Sequence, residues 1–506
     1  MDEIRILQFG DTHFTRHDQF DYTAFKDGVR MLNTLDADYC VHMGDLTQEG
    51  LGEDYDLASL LLPSVRKDIF TVPGNHDVKN VGWKLYEQYF GERDFVHIDE
   101  RVIIIGIDCS IPDRDDSRFS DEDLAIVDDA LEKAGDRFKV VVFHCHLFPI
   151  AGAGRERNIL YNAGDVIEIL QRHHVHLVLN GHKHTENVAQ FDDIVVVNSG
   201  TFSCYKTRQG EDHSFNMIRI SPQKDEVTIT THWIESKAQT HTTRRLRPHV
   251  SHEIEPDEPE FRLVQMSDLR ISDGPDFLSS RLGQALDEIN RIRPDHVCIC
   301  GNLVERGLAY EYEMAFEYLY RIQAPVMCVP GSCDLQHTGN TLFQRYVGDL
   351  EPGQENRGVH FIGINTALPH SANGVIGRGK LNTIINKRIL PESVNIALFH
   401  HKLTSAPGIR EHEYIEDAGS SLRTFIESDV DILLTGQQHV GFSHTVDGLI
   451  IVNSGTASSR KHYSELGNTM NILTIYNNKI LEVEKYIIDE QQKISMGRYV
   501  MNRFYK

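Results

Sequence analysis

Leu7-Gln-Phe-Gly-Asp11-Thr-His13 joins an apolar run, Ile4–Phe9, to an aspartate and a histidine set one residue apart just beyond it. Four further fragments have the same build: Gly44-Asp45, Gly74-Asn75-His76-Asp77, His144-Cys145-His146 and Gly181-His182-Lys183-His184. Each closes a run that reads as a strand. Strands are expected at Ile4–Phe9, Tyr39–Met43, Ile69–Val72, Val102–Ile107, Val140–Phe143 and Leu177–Leu179, with an antiparallel finish at Ile194–Val197, Asn216–Ile220 and Val227–Trp233. Between them Tyr22–Leu35, Tyr55–Val65, Asp121–Lys133 and Asp165–His173 carry helical spacing of apolar residues. This alternation predicts an α/β sheet domain with its polar fragments on loops at the carboxyl ends of strands, where such sheets bind ligands.

The same fragments return in the same order about 256 residues later. Leu7-Gln-Phe-Gly-Asp11 is matched by Val264-Gln-Met-Ser-Asp268, and Gly44-Asp45 by Gly301-Asn302. Val72-Pro-Gly-Asn-His-Asp77 is matched by Val329-Pro-Gly-Ser-Cys-Asp334, Phe143-His144 by Phe399-His400, and Gly181-His-Lys-His184 by Gly436-Gln-Gln-His439. Val197-Asn-Ser-Gly-Thr201 returns as Val452-Asn-Ser-Gly-Thr456. An ordered series at nearly constant offset means a duplicated domain. The expected division is a first domain over residues 1–236, a linker over 237–260, a second domain over 261–490 and a tail over 491–506. The linker reading rests on the basic run Thr242-Thr-Arg-Arg-Leu-Arg-Pro-His and the acidic, proline-containing run Glu253-Ile-Glu-Pro-Asp-Glu-Pro-Glu260.

Bulk properties agree with two domains, since 506 residues exceed what one hydrophobic core organises. The formal net charge of −24 argues against a protein that coats nucleic acid, though not against a local basic groove. No apolar run approaches the roughly 18 residues of a membrane span. Met1-Asp2-Glu3 lacks the basic and apolar regions of a signal peptide, so a cytoplasmic location is expected. The eight cysteines show no zinc-ribbon spacing and read as reduced core residues.

The first set of fragments has the donors of a metal site. Asp11 and His13 can aim at one cation from an irregular loop, Asp45 can lie between two, and Asn75 offers a neutral amide oxygen. His144, His182 and His184 add imidazole nitrogens. Carboxylate, amide and imidazole donors suit Mn, Fe, Zn or Co. Two such cations acidify bound water toward a pKa of about 7 and stabilise charge at phosphorus during in-line attack. His76, beside Asn75, is the natural general acid for a leaving oxygen. Arg155 and Arg157, in the glycine-rich stretch after His144, are candidates to contact a substrate phosphate. His17, His42, His97, His173, His174 and His176 read as surface or core residues.

In order and type, Asp-x-His, Gly-Asp, Gly-Asn-His-Asp, His and Gly-His-x-His resemble the calcineurin-like metallophosphoesterase superfamily, from residue 4 to about 234. The resemblance implies a four-layer αββα sandwich in each of two tandem domains and a dinuclear metal centre in the first. It implies that Asp11, His13, Asp45 and His184 hold one metal and that Asp45, Asn75, His144 and His182 hold the other. Asp45 would bridge, and His76 would contact phosphate and protonate the leaving group. Two departures stand out. His144-Cys145-His146 replaces a frequent pair of adjacent histidines, with His144 favoured as ligand and His146 behind it. Gln48 stands where an acidic residue commonly follows Gly-Asp, so the orientation of the ligands or of His76 is expected to differ.

In the second copy the equivalent positions are Asp268, Arg270, Asn302, Ser332, His400, Gln437 and His439, with Cys333 in place of the acid histidine. Loss of the bridging carboxylate predicts no dinuclear centre there. The expected activity is hydrolysis of a phosphodiester, nucleotide-like or otherwise small, by the first domain. A nuclease of the repair type, a phosphomonoesterase or protein phosphatase, and a regulatory scaffold with an incidental site are the alternatives. The second domain is expected to serve as a permanent companion of the first, in a pseudo-dimer, and a homo-oligomer and a nucleic-acid partner stay open.

Overall fold

The computed structural model describes residues 3–246, 255–409 and 414–505. The chain forms two compact units, Met1–Pro248 with Pro407–His412, and His249–Ala406 with Glu413–Lys506. The first unit runs β1 (Ile4–Phe9), α1 (Tyr22–Leu32), β2 (Tyr39–His42), α2 (Gly52–Leu61), β3 (Ile69–Thr71), α3 (Gly82–Phe90), β4 (Phe95–Ile98) and β5 (Val102–Gly106). It continues with α4 (Asp121–Glu132), β6 (Phe138–Val142), α5 (Ala163–Arg172), β7 (Leu177–Asn180), β8 (Asn187–Phe191), β9 (Ile194–Asn198), β10 (Ser214–Ser221), β11 (Glu226–Trp233) and β12 (Gln239–Arg245).

One sheet has the order β12-β11-β10-β1-β2-β3, with β1, β2 and β3 parallel. In the other, β5, β6, β7 and β9 are parallel neighbours, flanked by antiparallel β4 beside β5 and antiparallel β8 beside β9. The twofold period of β1 explains why two sheets and a helical layer meet on it. Ile4 and Ile6 enter the core between the sheets with Val41, Val140, Leu177 and Ile218. Leu7 and Phe9 point the other way, into a core with Phe25, Val29 and Leu32 of α1, Tyr55 of α2 and Tyr86 of α3. Helices α4 and α5 pack together, with α4 against β5. The unit is thus an αββα sandwich. Local signals set helix starts. Asp21 accepts from the N–H groups of Thr23 and Ala24 ahead of α1, and Ser120 and Asp123 cap α4 reciprocally.

The second unit repeats this plan: β13 (Pro259–Met266), α6 (Ser279–Ile292), β14 (His296–Cys300), α7 (Ala309–Tyr320), β15 (Val326–Val329), α8 (Gly339–Tyr346), β16 (Gly353–Asn356) and β17 (Val359–Gly363). Then come α9 (Arg378–Lys387), β18 (Val394–Leu398), α10 (Ala418–Glu427), β19 (Ile432–Thr435), β20 (Phe442–Val446), β21 (Leu449–Asn453), β22 (Thr469–Tyr476), β23 (Ile480–Ile487) and β24 (Gln492–Val500). Phe261 and Leu263 of β13 face the core between the sheets, and Val264 and Met266 face α6 and α7.

The structure adds α3, β4 and β8, which the expected elements do not include, and departs from those elements in four further places. Helix α1 stops at Leu32 rather than Leu35, where the chain tightens into three-residue turns. Helix α2 gives way to a 3₁₀ turn over Leu62–Ser64 because Pro63 has no N–H to continue it. Within the expected linker, Gln239–Arg245 forms β12, paired along its length with β11. Residues 247–254 of that linker lie outside the described residues. The expected tail contains β24, which pairs with β23 and packs Met496 and Tyr499 against the core. Both strands are edges with charged outer faces, which hides their β character in the sequence. No described helix is long and apolar enough to cross a membrane.

Candidate metal centre

In the first unit the five fragments follow β1, β2, β3, β6 and β7, all at carboxyl ends. Asp11, His13, Asp45, His182 and His184 take left-handed backbone conformations, with φ of 51°, 49°, 52°, 75° and 54°. Aspartate and histidine enter that region more readily than most side chains, yet five such residues in one place is a strained arrangement that packing must hold. The loops brace one another. The N–H groups of Asp11 and His13 donate to the carbonyls of Gly44 and Asp45, both at 2.9 Å. The buried Asp77 carboxylate accepts from the N–H groups of Leu46, Thr47 and Gly74 and from the Thr47 hydroxyl.

Each imidazole is turned by the partner of its Nδ1. His144 Nδ1 donates to the Met43 carbonyl at 2.7 Å and His184 Nδ1 to the Lys206 carbonyl at 2.7 Å. A carbonyl only accepts, so Nδ1 carries the proton and Nε2 presents a lone pair inward. His13 Nδ1 bonds Gln48 Oε1 at 2.9 Å, and its Nε2 lies 3.0 Å from His184 Nε2. That separation needs a proton between the two nitrogens or a cation beside them.

The donors gather into two groups that share Asp45: Asp11, His13, Asp45 and His184, and Asp45, His144 and His182. Asp45 Oδ2 is 3.5 Å from His13 Nε2 and 3.3 Å from His144 Nε2. Asn75 Oδ1 lies 2.9 Å from His182 Nδ1, which adds the amide to the second group. Asp11 Oδ1 and His144 Nε2 are buried with no hydrogen-bond partner among the described residues. Orphaned donor atoms, ring orientation and a carboxylate common to both groups fit two divalent cations. His146 lies behind this set, its ring stacked on His182 with centroids 5.8 Å apart.

The electrostatics point the same way. Burial opposes the charge on Asp45, but the neighbouring His144 and His76 hold its carboxyl well below the usual range. Burial also pulls His144 and His184 down, and the carboxylates of Asp45 and Asp11 reverse this, carrying them up to about 9 and about 10, so that without cations their Nε2 atoms hold protons in the place a metal would take. His13 goes the other way, pushed down to about 4 by burial. Two ionised carboxylates in a buried place demand cationic neighbours.

The centre opens into a cavity of about 770 Å³ lined by His13, Asp45, Asn75, His76, His182 and His184. His76 donates from Nδ1 to the Gln48 carbonyl at 2.6 Å, while its N–H of the main chain donates to Asp45 Oδ1. Gln48 therefore orients His13 with its side chain and His76 with its backbone, the work expected of the missing acid. Arg155 also lines the cavity, 3.7 Å from Asp115, whereas Arg157 is not among the lining residues. The sequence reading missed Lys183, Lys206, Arg208 and Cys204, which line it too. Cys204 lies with His13 and His184 in a third group of donor atoms.

The second unit keeps the loops and changes the chemistry. Asp268, Arg270, Asn302, Gln437 and His439 hold φ of 50°, 49°, 48°, 69° and 56°, nearly the values of their counterparts. The Asn302 amide donates to Asp268 Oδ1 at 2.8 Å and accepts from the Cys333 N–H at 3.0 Å. Arg270 Nε stands 3.6 Å from Asp268 Oδ1, and its Nη1 pairs with Glu305 at 3.1 Å. His439 Nε2 lies 3.2 Å from Asp268 Oδ1, and His400 Nδ1 bonds the Cys300 carbonyl. The guanidinium offsets the charge of Asp268 and the amide donates a hydrogen bond to it. Among the described residues this unit contains no metal-competent donor group.

The profile of the family described as calcineurin-like phosphoesterase matches residues 4–186 and 261–441. The 3',5'-cyclic adenosine monophosphate phosphodiesterase CpdA of Escherichia coli K12 is 26% identical over 194 residues, covering 36% of this chain and 70% of its own length. A probable glycerophosphodiester phosphodiesterase, GpdQ of Arcobacter nitrofigilis, is 25% identical over 214 residues, covering 39% of this chain and 77% of its own. Among solved structures, purple acid phosphatase PPD1 from yellow lupin (Lupinus luteus) seeds is 13% identical with a TM-score of 0.41, covering 49% of this chain and 54% of that one.

Proposed function

This chain belongs to the calcineurin-like phosphoesterase family, and from that premise we propose that its first unit is a metal-dependent phosphodiesterase acting on a nucleotide or another small diester. The observation that carries the reading is the pair of donor groups joined by Asp45. Asp11, His13, Asp45 and His184 would hold one divalent cation, and Asp45, Asn75, His144 and His182 the other. When bound, such a pair supplies Lewis-acid charge and acidifies water to a nucleophile near neutral pH.

The chain's own residues do the rest. Asp45 places one carboxylate against both groups. His76, which lines the cavity with its Nδ1 bonded to the Gln48 carbonyl, gives a proton to the departing oxygen. The main-chain N–H of His76 holds the substrate-facing loop against Asp45. The diester preference is supported by what the two relatives are named for. In the second unit, Arg270 takes the electrostatic place of a cation beside Asp268 and Asn302 removes the shared carboxylate, and that unit is proposed to be inactive.

A panel of a simple aryl diester, an aryl monoester, a cyclic nucleotide, a glycerol phosphodiester and single- and double-stranded DNA, with Mn²⁺ supplied, tests the reading. Diester turnover above monoester turnover is expected, abolished in Asp45→Asn, which copies the second unit's own residue. The expected loss is on the order of 10³-fold, since the two-cation charge is worth several kcal/mol. Unchanged turnover in that variant, with the protein folded, removes the site assignment. Preferred cleavage of DNA with steep salt dependence replaces the small diester by a nuclease substrate.

A further inference from the structure

The cavity holds more positive charge than a single diester needs. Lys183 is 7% exposed, placed between His182 and His184, and makes no hydrogen bond or ion pair from its ammonium group among the described residues. Arg208 Nε is buried and likewise unpartnered there. Lys206 is tied to the centre by its own carbonyl, which accepts from His184 Nδ1. The strap bearing these cations is internally bonded, with Thr207 N–H donating to the Tyr205 carbonyl and Glu211 N–H to the Arg208 carbonyl. Arg208 reaches across to the glycine-rich loop, its Nη1 3.5 Å from where a Cβ on Gly154 would stand.

The acids on the same wall do not neutralise this set. Asp115 pairs with Arg155 and Glu49 with Lys79, and Asp18, also in the lining, makes no ion pair with Lys183, Lys206 or Arg208 among the described residues. An ammonium on a largely buried side chain that lacks a paired carboxylate is unfavourable, and an incoming anion removes the penalty. Guanidinium and ammonium groups together match a phosphate, which takes several charge-assisted hydrogen bonds at once.

We propose that Lys183, Lys206 and Arg208 form an anion subsite beside the metal centre, and that it takes a phosphate group other than the one being hydrolysed. The preferred substrate is then a small phosphodiester that also carries a terminal phosphate. This rests on the phosphodiesterase reading above, and the test separates the two.

The test compares a thymidine dinucleotide bearing a 5'-phosphate with its 5'-hydroxyl counterpart, which shares the same scissile bond. Wild-type kcat/KM is expected to favour the phosphorylated dinucleotide by about tenfold or more, the worth of one charge-assisted hydrogen bond. Lys183→Met and Arg208→Gln should each drive that ratio toward one. Calorimetric titration of both dinucleotides into EDTA-treated protein gives a second readout that needs no turnover, with the same preference and the same loss in the variants. Equal binding of the two dinucleotides by wild type, or a preference that survives in both variants, overturns the subsite. Preferential binding with no hydrolysis of either dinucleotide under metal supplementation keeps the subsite and removes the phosphodiesterase reading.

Discussion

At the scale of single residues, His76 carries the sharpest expectation. Its main-chain N–H donates to Asp45, while its ring bonds the Gln48 carbonyl, with Lys79 Nζ 3.0 Å from the same Nδ1 and the His13 ring edge-on at 4.7 Å. His76→Ala should leave metal content unchanged, measured by elemental analysis, and cut turnover by roughly 10²–10⁴-fold. The deficit should shrink on a nitrophenyl diester, whose leaving group departs without a proton, relative to an alkyl diester. An equal deficit on both would mean that His76 binds rather than protonates. The ligand residues are legible in the sequence because each follows a strand at short range and its chemistry has few other uses in that pattern. Lys183, Arg208 and Cys204 are not, because lysine, arginine and cysteine read as surface or core until the fold shows them on one wall. Arg155 and Arg157 show the converse, since a loop position two residues away decides which of them lines the cavity.

At the scale of elements, β14 pays attention to pH in a way that its sequence conceals. His296 is fully buried, with its ring stacked on Phe361 at 4.2 Å and both ring nitrogens unpartnered among the described residues. Burial alone pushes it down to about 4. A histidine depressed in the folded state takes up its proton first in the unfolded chain. Its contribution to stability is therefore complete above the ordinary value near 6.5 and is lost as pH falls from there toward about 4. Between pH 7 and pH 5 this amounts to about 2 kcal/mol. His296→Phe keeps the stack and removes the titration, so urea midpoints of the second unit's transition should fall less between those pH values in the variant. An identical fall in both proteins would show that His296 is hydrated. Central elements such as β14 are legible from their apolar runs, and a histidine there reads as part of a strand. Edge elements β12 and β24 are not legible, because their outward faces carry the charge of a linker or tail while pairing on one side supplies the structure.

At the scale of the whole molecule, the duplication preserved a backbone and changed its charges. A Cβ at Gly74 would stand 2.2 Å from Asp45 Oδ1, and one at Gly331 would stand 2.4 Å from Asn302 Oδ1, so both copies require glycine at the same turn. Arg270 and Gln437 hold left-handed φ although neither residue type favours it, which marks the loop frame rather than the side chain as the cause. If the frame is intact, restoring the donors should restore binding. The variant Arg270→His, Asn302→Asp, Ser332→Asn, Gln437→His returns every changed ligand position to its first-unit counterpart. Metal content is expected to rise from two ions per chain toward four, whereas Asn302→Asp alone, with Arg270 still beside Asp268, should stay at two. Without metal, the quadruple variant places a second carboxylate near Asp268 with no guanidinium to offset it, so it should melt below wild type. Mn²⁺ should then raise its Tm, by the equivalent of about 2.7 kcal/mol at a hundredfold excess over the dissociation constant. No added metal and no Mn²⁺-dependent shift would mean that the two frames differ where it matters. Four ions in the unmodified chain would mean that Arg270 and Asn302 do not exclude a cation at all.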